Sequence, residues 1–427
     1  MSSKRIVLIG AGSLVFGEGL MKDVVLSPHL AGSTVALVDL NERKLDLMVG
    51  VAQRMIEQQE SDIRLEATTE RREVLADADY VITTISVGGQ AAWEKDLNIP
   101  LEYGIVQSVG DSVGPGGISR AFRHIPVILE IARDMMDLCP DAVLFNYSNP
   151  MSAICRAVQR ETSIQVVGLC HGVTNTRNYL AEYIDVPAHE LQVRAAGINH
   201  LVWMVQLLHH GHDAYPKLRE ALARKGPGDR PASFELMQLY GLFPGPGHDH
   251  VAMFFPFFLS TDADVAKRYD VGLFPLAGMN RQREQLVERF RAQAEGRLPI
   301  SVQRSGEDVM DIITARVTHQ PKVCAVNVPN HGAVSGLQDH AIVEVSALVD
   351  GGGIQPLRVD SLPVAIASIL RARIDQQEMV VCAAIGGDRS LALQALLADP
   401  LVDSVASARA ILDRLLQAHA AHMPTFS

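Results

Sequence analysis

The chain has 427 residues, of which 48% are hydrophobic and 20% are charged. This composition is typical of one or two well-packed globular domains and excludes disordered and collagen-like chains. Acidic residues outnumber basic ones by 49 to 38, which gives a net charge of −11. A negative chain offers no positive field to a nucleic-acid backbone or an anionic membrane surface, so we expect a small-molecule partner, no nucleic acid and no membrane.

The cysteines and the apolar runs bear on the compartment. The five cysteines are too few and too scattered for a disulfide framework or a Cys-x-x-Cys metal site. The apolar run Ile6 to Ile9 is shorter than the core of a signal peptide, and no later run reaches 18 uninterrupted apolar residues. We therefore expect a cytoplasmic protein.

A βαβ unit is predicted between residues 4 and 40. The apolar strand Arg5 to Ile9 leads into the turn Gly10-Ala11-Gly12-Ser13, a helix follows, and the strand Thr34 to Val38 ends at Asp39. Small residues let the backbone approach a pyrophosphate at a helix N-terminus, although Val15 stands where the fingerprint has its third glycine. An ordinary βα turn is the alternative.

Asp39 favours the dinucleotide interpretation of this turn. A carboxylate at the end of the second strand can accept both ribose hydroxyls and would repel a 2′-phosphate, which favours NAD over NADP. We therefore predict that Gly10, Gly12, Ser13 and Asp39 bind NAD, together with Asn146 further along the chain.

The same alternation of strand and helix continues to about residue 193. Helices are predicted at Glu42 to Gln59 and near Ile125 to Leu138, with strands at Tyr80 to Ile85, Val143 to Phe145 and Ile164 to Val167. Continuous apolar runs are typical of strands covered on both faces of a parallel sheet. The sequence thus predicts an α/β fold that begins with a Rossmann-type, doubly wound parallel sheet.

The pattern changes near residue 195. The strands Gln192 to Ala196 and Leu201 to Leu207 follow each other closely, and strand-like and helical stretches alternate after Asp308. We predict an NAD-binding domain over residues 1–195 and an α+β domain for substrate binding and oligomerisation over residues 196–427. The segment from Gly241 to Phe258 is predicted to be a long irregular loop, a kind of segment that often carries function.

A glycine-dense segment runs from Gly110 to Gly117 and contains the carboxylate of Asp111. Arg120 and Arg123 follow at a predicted helix start. Either arginine can hold a substrate carboxylate through two parallel hydrogen bonds. A solvated loop and helix face is the alternative.

Asn149 and Pro150 end the predicted strand at residues 143–145. A residue before proline is extended, which aims the Asn149 side chain out of the carboxyl end of the strand, where ligands bind in open parallel sheets. The alternative is a simple strand-terminating turn.

Three further segments carry candidate ligands or bases. Cys170 and His171 close the next strand, and Asn199 and His200 lie between two later strands. A thiolate and an imidazole can bind a divalent transition metal, although their spacing matches no local metal motif, so a packed cysteine and a satisfied histidine stay open. His248 and His250, which flank Asp249, can titrate near neutral pH, or they can remain solvated in a surface loop.

Taken in order, these motifs identify a resemblance. The turn at residues 10–13, the segments at 110–117 and 146–151, Cys170-His171-Gly172-Val173 and the Gly-Ile-Asn-His at 197–200 together resemble glycoside hydrolase family 4. Residues 326–330 and 342–345 are also similar to that family, so the resemblance covers nearly the whole chain. Its NAD-dependent members are an exception to glycoside hydrolysis by two carboxylates.

The resemblance implies a lactate/malate-dehydrogenase-like fold, bound NAD and a divalent metal, most often Mn²⁺, with no net redox change. It implies that the sugar is oxidised at carbon 3, loses the hydrogen on carbon 2, releases the aglycone from carbon 1, and is then hydrated and reduced. By resemblance Cys170 and His200 are the metal ligands and Asn149 a substrate contact. A homodimer or homotetramer is expected for this fold.

The residue after the cysteine is associated in the family with substrate choice and, in some members, with protonation of the leaving group. Here it is His171, and the Cys-His-Gly form resembles the branch that cleaves uronides. An α-glucuronide or α-galacturonide is therefore the expected substrate, with Arg120, Arg123 or Arg177 as partners of its carboxylate. A neutral α-glucosidase or α-galactosidase, an NAD-dependent hydroxy-acid dehydrogenase and a non-catalytic NAD sensor are the alternatives.

One position departs from the family pattern. Members often carry a base tyrosine in a Glu-Tyr-x-Pro stretch, whereas this chain has Met253-Phe254-Phe255-Pro256. Phenylalanine cannot accept a proton, so the hypothesis is that a metal-bound hydroxide or a member of His248, Asp249 and His250 is the base. The predicted catalytic groups are Asp111, His171, Asp249 and His250.

Overall fold

The computed structural model describes residues 3–274 and 276–427, without the side chains of 276–280. Its strands are β1 (Arg5–Ile9), β2 (Thr34–Val38), β3 (Arg64–Thr68), β4 (Tyr80–Thr83), β5 (Val143–Asn146), β6 (Gln165–Gly168), β7 (Leu191–Ile198), β8 (Leu201–His209), β9 (His212–Asp213), β10 (Pro244–Gly245), β11 (Lys322–Pro329), β12 (Ile342–Asp350) and β13 (Gly353–Pro356).

The helices alternate with the strands in the first half of the chain and cluster in the second. They are α1 (Leu14–Val25), α2 (Glu42–Gln58), α3 (Arg72–Leu75), α4 (Gly89–Leu101), α5 (Gly114–Leu138), α6 (Met151–Glu161), α7 (Gly172–Tyr183), α8 (Tyr215–Lys225), α9 (Pro231–Tyr240), α10 (His248–Ala252), α11 (Ala263–Tyr269), α12 (Leu276–Ala294), α13 (Asp308–Thr318), α14 (Val364–Gly386), α15 (Arg389–Leu397) and α16 (Val405–Ala418).

The described strands form one mixed sheet. Strands β3, β2, β1, β4, β5 and β6 lie side by side and parallel. Antiparallel strands continue the sheet beyond β6 in the order β11, β12, β7, β8 and β10, while β13 pairs with β12 and β9 with β8. This architecture confirms the predicted α/β fold with a mostly parallel sheet and a further C-terminal region.

Both faces of the parallel strands β1, β2, β4 and β5 are buried, as their continuous apolar sequences predict, whereas the edge strand β3 is largely exposed. In β1 the even residues Ile6 and Leu8 pack into the core beneath α1 and α2. The odd residues Val7 and Ile9 join a second core with α5, α6 and α14. Alternate side chains of one strand therefore stabilise two helical layers.

Two predicted elements differ from the structure. Helix α5 begins at Gly114 rather than near Ile125, because Gly116 and Gly117 pack directly against the preceding loop. A Cβ on Gly117 would lie 2.5 Å from the Ser112 carbonyl carbon, so only glycine allows this contact. The segment from Gly241 to Phe258, predicted to be irregular, contains the short helix α10.

The division at residue 195 stays a prediction. Strand β7 runs across that position and pairs with both β8 and β12, so the sheet is continuous there. None of the helices in the described part of the chain combines the length and the apolar character that crossing a bilayer requires.

Candidate active site

The turn after β1 forms a cradle closed by Asp39. Gly10 has a φ of +99°, and a Cβ on Gly12 would lie 2.6 Å from Asp39 Oδ2. The Gly12 N–H donates to that oxygen at 2.6 Å, and the Ser13 side chain makes no cap hydrogen bond to α1. Four of the predicted cofactor residues therefore meet at the positive end of a helix, a place suited to a pyrophosphate and its ribose.

Asn146 lies away from the turn after β1, at the end of β5. It is fully buried, its Nδ2 donates to the Ser148 carbonyl at 2.9 Å and its Oδ1 accepts from the Thr83 hydroxyl at 3.0 Å. These bonds tie the ends of β4 and β5 together. The structure thus gives the Asn146 side chain a supporting role within the turn after β5, and a contact between Asn146 and a cofactor stays a prediction.

Asp111, His200 and His250 form a compact cluster in which one ligand atom of each lies within 4.8 Å of the others. Asp111 Oδ1 is 3.6 Å from His200 Nδ1, and the rings of the two histidines meet edge to face with centroids 4.5 Å apart. Cys170 is near enough to His200 to raise the pKa of that imidazole. A thiol, two imidazoles and a carboxylate are a donor set that divalent transition metals accept.

The charges of this cluster are strongly coupled. Burial raises the pKa of Asp111, but His200, His250 and Arg120 outweigh burial and hold that pKa well below its usual range. Burial lowers the pKa of His200, yet Asp111 and Cys170 raise it well above its ordinary value. Burial and the adjacent His200 lower the pKa of His250 to about 4. His250 is therefore neutral near pH 7 and has a lone pair for a proton or a metal.

The hairpin between β7 and β8 positions His200. Only Asn199 and His200 connect the two strands, and His200 has a φ of +66°. The Asn199 Nδ2 donates to Glu344 Oε2 at 3.1 Å, and Glu344, on β12 opposite Gly197, is buried. Burial raises the pKa of Glu344 to about 7. Glu344 was given no role from the sequence, although a carboxyl between the apolar residues Val343 and Val345 was a usable signal.

Asn149 lies at the tip of β5 beside the cluster. Its Nδ2 donates to Asp111 Oδ2 at 2.9 Å, while its Oδ1 is buried with no hydrogen-bond partner among the described residues. Buried amide oxygens are rarely unpaired in folded proteins. The orphaned oxygen therefore fits a metal or a sugar hydroxyl supplied from outside the chain.

The three arginines predicted to bind a substrate carboxylate make different contacts. The Arg120 Nε donates to the Asn149 carbonyl at 3.0 Å, and its charge acts on Asp111. Arg123 is fully buried in an ion pair with Asp96, Nη2 to Oδ2 at 2.6 Å, so the structure corrects the expectation that it binds substrate. Arg177 lies on α7, where its guanidinium bonds the neighbouring Asn178. Arg120 is the arginine that the fold brings to the cluster.

His171 is held by a residue that sequence reasoning missed. Its Nε2 lies 2.7 Å from Glu307 Oε2, and this hydrogen bond raises the pKa of His171 despite partial burial. The Glu307 N–H donates to Asp23, a buried carboxylate of α1, at 3.2 Å. Glu307 is 136 positions from His171 in the chain, so no local pattern could pair them.

The segment from His248 to Pro256, which departs from the family pattern, places its side chains in different surroundings. Phe254 packs in the hydrophobic core. The Asp249 carboxylate is half-exposed and faces His248, with Oδ1 3.6 Å from Nε2. Of the three side chains offered as bases, His250 is therefore the one that joins the cluster with Asp111 and His200.

Comparisons with known proteins identify the family of the chain. The model described as family 4 glycosyl hydrolase matches residues 5–186, and the model of its C-terminal domain matches residues 195–402. An α-galacturonidase of Bacillus subtilis strain 168 is 33% identical, over 93% of both chains. An α-galactosidase of the same strain is 30% identical, over 99% of this chain and 100% of that protein.

A solved structure shows the same fold at lower identity. The 6-phospho-α-glucosidase from gut microorganisms, determined in complex with NAD and Mn²⁺, superposes with a TM-score of 0.87 over 100% of both chains at 19% identity.

Proposed function

This chain belongs to family 4 of the glycosyl hydrolases, and we propose that it hydrolyses α-glycosides of uronic acids, α-galacturonides or α-glucuronides, using NAD and a divalent metal, preferably Mn²⁺. The observation that carries the proposal is the meeting of Arg120 and Asn149 with the cluster around His200 at one edge of the sheet. An arginine there matches the carboxylate of a uronic acid. The α-galacturonidase relative supports the same substrate class.

The residues present fit both cofactors. Gly10, Gly12 and Asp39 would hold NAD, because glycine leaves room for the dinucleotide and the carboxylate faces the turn. Cys170 and His200 would hold the metal. When bound, NAD would supply a reversible hydride acceptor, and the metal would supply a Lewis acid for the oxygens of the sugar.

The chain's own groups move the protons. His250, with its pKa lowered to about 4 by burial and His200, is neutral and takes the proton from carbon 2, in place of the family's tyrosine. Asn149 Oδ1 accepts a hydrogen bond from a hydroxyl of the sugar, and this bond orients the sugar ring. His171, whose pKa Glu307 raises, donates a proton to the aglycone oxygen as the bond to carbon 1 breaks.

A second candidate is a neutral-sugar α-galactosidase. The observation that favours it is the α-galactosidase relative, which is similar over the full length of both chains. A neutral sugar needs no arginine, so in that case Arg120 would serve only the Asn149 carbonyl. The homodimer or homotetramer and the cytoplasmic location stay predictions.

The test is hydrolysis of four nitrophenyl glycosides, the α-galacturonide, α-glucuronide, α-glucoside and α-galactoside. NAD, Mn²⁺ and a thiol reductant are supplied together and then omitted one at a time. We expect uronide turnover that is lost without NAD or metal, with no NADH accumulating beyond one equivalent per enzyme. Preferential turnover of the neutral galactoside would select the second candidate, and steady NADH release would indicate a dehydrogenase instead.

A further inference from the structure

A second group of metal-ligand side chains lies at the opposite end of β8 from the active site. His209 ends β8, His210 begins the turn to β9, and Glu190 directly precedes β7, whose Leu191 is the register partner of His209. We call Glu190, His209 and His210 the hairpin cluster. From His200 to His209 the chain advances nine residues along a strand, about 30 Å at roughly 3.3 Å per residue. The hairpin cluster is thus separate from the active site.

The ligand atoms of the hairpin cluster converge. His209 Nε2 and His210 Nε2 each lie 3.2 Å from the same oxygen, Glu190 Oε2. One ligand atom of each of the three residues lies within 4.8 Å of the others, and the two imidazole rings have centroids 4.2 Å apart. In a tetrahedral zinc site with metal–ligand bonds of about 2.0–2.1 Å, ligand atoms are about 3.3 Å apart. The observed distances of 3.2 Å from each histidine nitrogen to the Glu190 oxygen match this separation between ligand atoms.

The backbone holds this arrangement in place. His210 and Gly211 both have positive φ, 51° and 79°, as the central residues of the tightest hairpin turns do. Left-handed backbone is unfavourable for a residue with a Cβ. In this turn the His210 imidazole lies beside that of His209. The turn therefore gathers two neighbouring histidines onto one carboxylate.

We propose that the hairpin cluster binds a divalent transition metal of the zinc class, with Glu190, His209 and His210 as ligands and water completing the coordination. Each imidazole coordinates through Nε2 and carries its proton on Nδ1. Two nitrogen ligands favour Zn²⁺ over Mn²⁺ in the general order of divalent metal affinities. The bound ion ties the start of β7 to the β8–β9 hairpin.

The test is the Zn²⁺ stoichiometry of the full chain, measured by equilibrium dialysis in excess Mn²⁺. The variants are the double substitution His209→Asn with His210→Asn, and Glu190→Gln alone. Asparagine tolerates left-handed backbone, so the turn is preserved. His331→Asn is the matched control, because His331 is also exposed and has a positive φ of 39°.

We expect the wild type and His331→Asn to retain one more equivalent of Zn²⁺ than the double variant, and Glu190→Gln to bind that equivalent at least tenfold more weakly. Equal melting temperatures in a chelator show that all four proteins are folded. Equal Zn²⁺ stoichiometry in the wild type and the double variant would overturn the proposal, as would unchanged affinity in Glu190→Gln.

Discussion

Two arginines on one helix show how burial decides the role of a residue. Arg120 and Arg123 are three positions apart on α5, so they lie on neighbouring positions of the helix surface. Arg123 points into the core, where both of its terminal nitrogens bond Asp96. A buried charge must be paired, and this pairing leaves Arg123 nothing for a substrate. Arg120 remains near Asn149 and the cluster.

The first prediction concerns Arg120. In Arg120→Met, kcat/KM for the uronide should fall about 10- to 100-fold, because a charge-assisted hydrogen bond contributes about 1.5–3 kcal/mol. Turnover of the neutral α-galactoside should change far less. The ratio of the two kcat/KM values is the measurement.

Arg177→Met is the control for this experiment, since Arg177 bonds only Asn178 among its described hydrogen-bond partners. In Arg177→Met the ratio of kcat/KM for the uronide to kcat/KM for the neutral α-galactoside should equal that of the wild type. A uniform loss for both sugars in Arg120→Met would instead mean that Arg120 acts through Asn149 alone.

The second prediction concerns the pair of His171 and Glu307. Glu307 raises the pKa of His171 in the folded state, so the pair stabilises the protein fully below the unfolded histidine pKa of about 6.5. This contribution is lost as the pH rises through the raised folded pKa. The difference in melting temperature between wild type and Glu307→Gln should therefore be largest near pH 6 and shrink toward pH 9. A constant difference over that range would show that the imidazole does not titrate against Glu307.

At the scale of elements, three strands build the turn that carries His200. The β7–β8 hairpin supplies the left-handed His200, and β12 supplies Glu344, which accepts from the Asn199 amide. The carboxyl is inside the sheet, where an unpaired polar group is costly. Glu344 is therefore a positioning residue that acts through Asn199.

The third prediction follows from this support. Glu344→Leu should weaken Mn²⁺ binding about 10- to 100-fold, the usual effect of removing a group that orients metal ligands. Titration of free Mn²⁺ by electron paramagnetic resonance measures the affinity without turnover. Ser346→Ala is the matched control, because Ser346 lies on the same strand and accepts from the Ala195 N–H, away from the turn. Wild-type affinity in Glu344→Leu would remove Glu344 from the site.

At the scale of the whole molecule, the sheet joins the two halves of the chain. Strand β11, from the second half, pairs with β6 of the parallel part through Asn327 and Gly168. Helix α14 packs in the same core as α5 and α6. Neither half therefore keeps a complete core alone.

The fourth prediction is that the chain unfolds as one unit. Differential scanning calorimetry should give a single transition, because separating the halves exposes a sheet edge and the α14 contact. Two resolved transitions would show that the halves around residue 195 are independently stable.

Local patterns in the sequence predicted most of the elements and the chemistry of individual turns. Continuous apolar runs indicated strands buried on both faces, the glycines and Asp39 indicated the cofactor turn, and the ordered motifs indicated the family. These features are local, so backbone sterics and side-chain periodicity are enough to predict them. They also placed Asn149, Cys170 and His200 at strand ends.

Which of these groups lie in contact depends on the tertiary structure. It joined His250 to the cluster and turned Asp249 away, and it paired Arg123 with Asp96. It also brought Glu307 to His171 and Glu344 to Asn199. Each of these contacts joins residues far apart in the chain. Their choice depends on strand order and on the cost of leaving a buried charge unpaired, neither of which a local pattern contains.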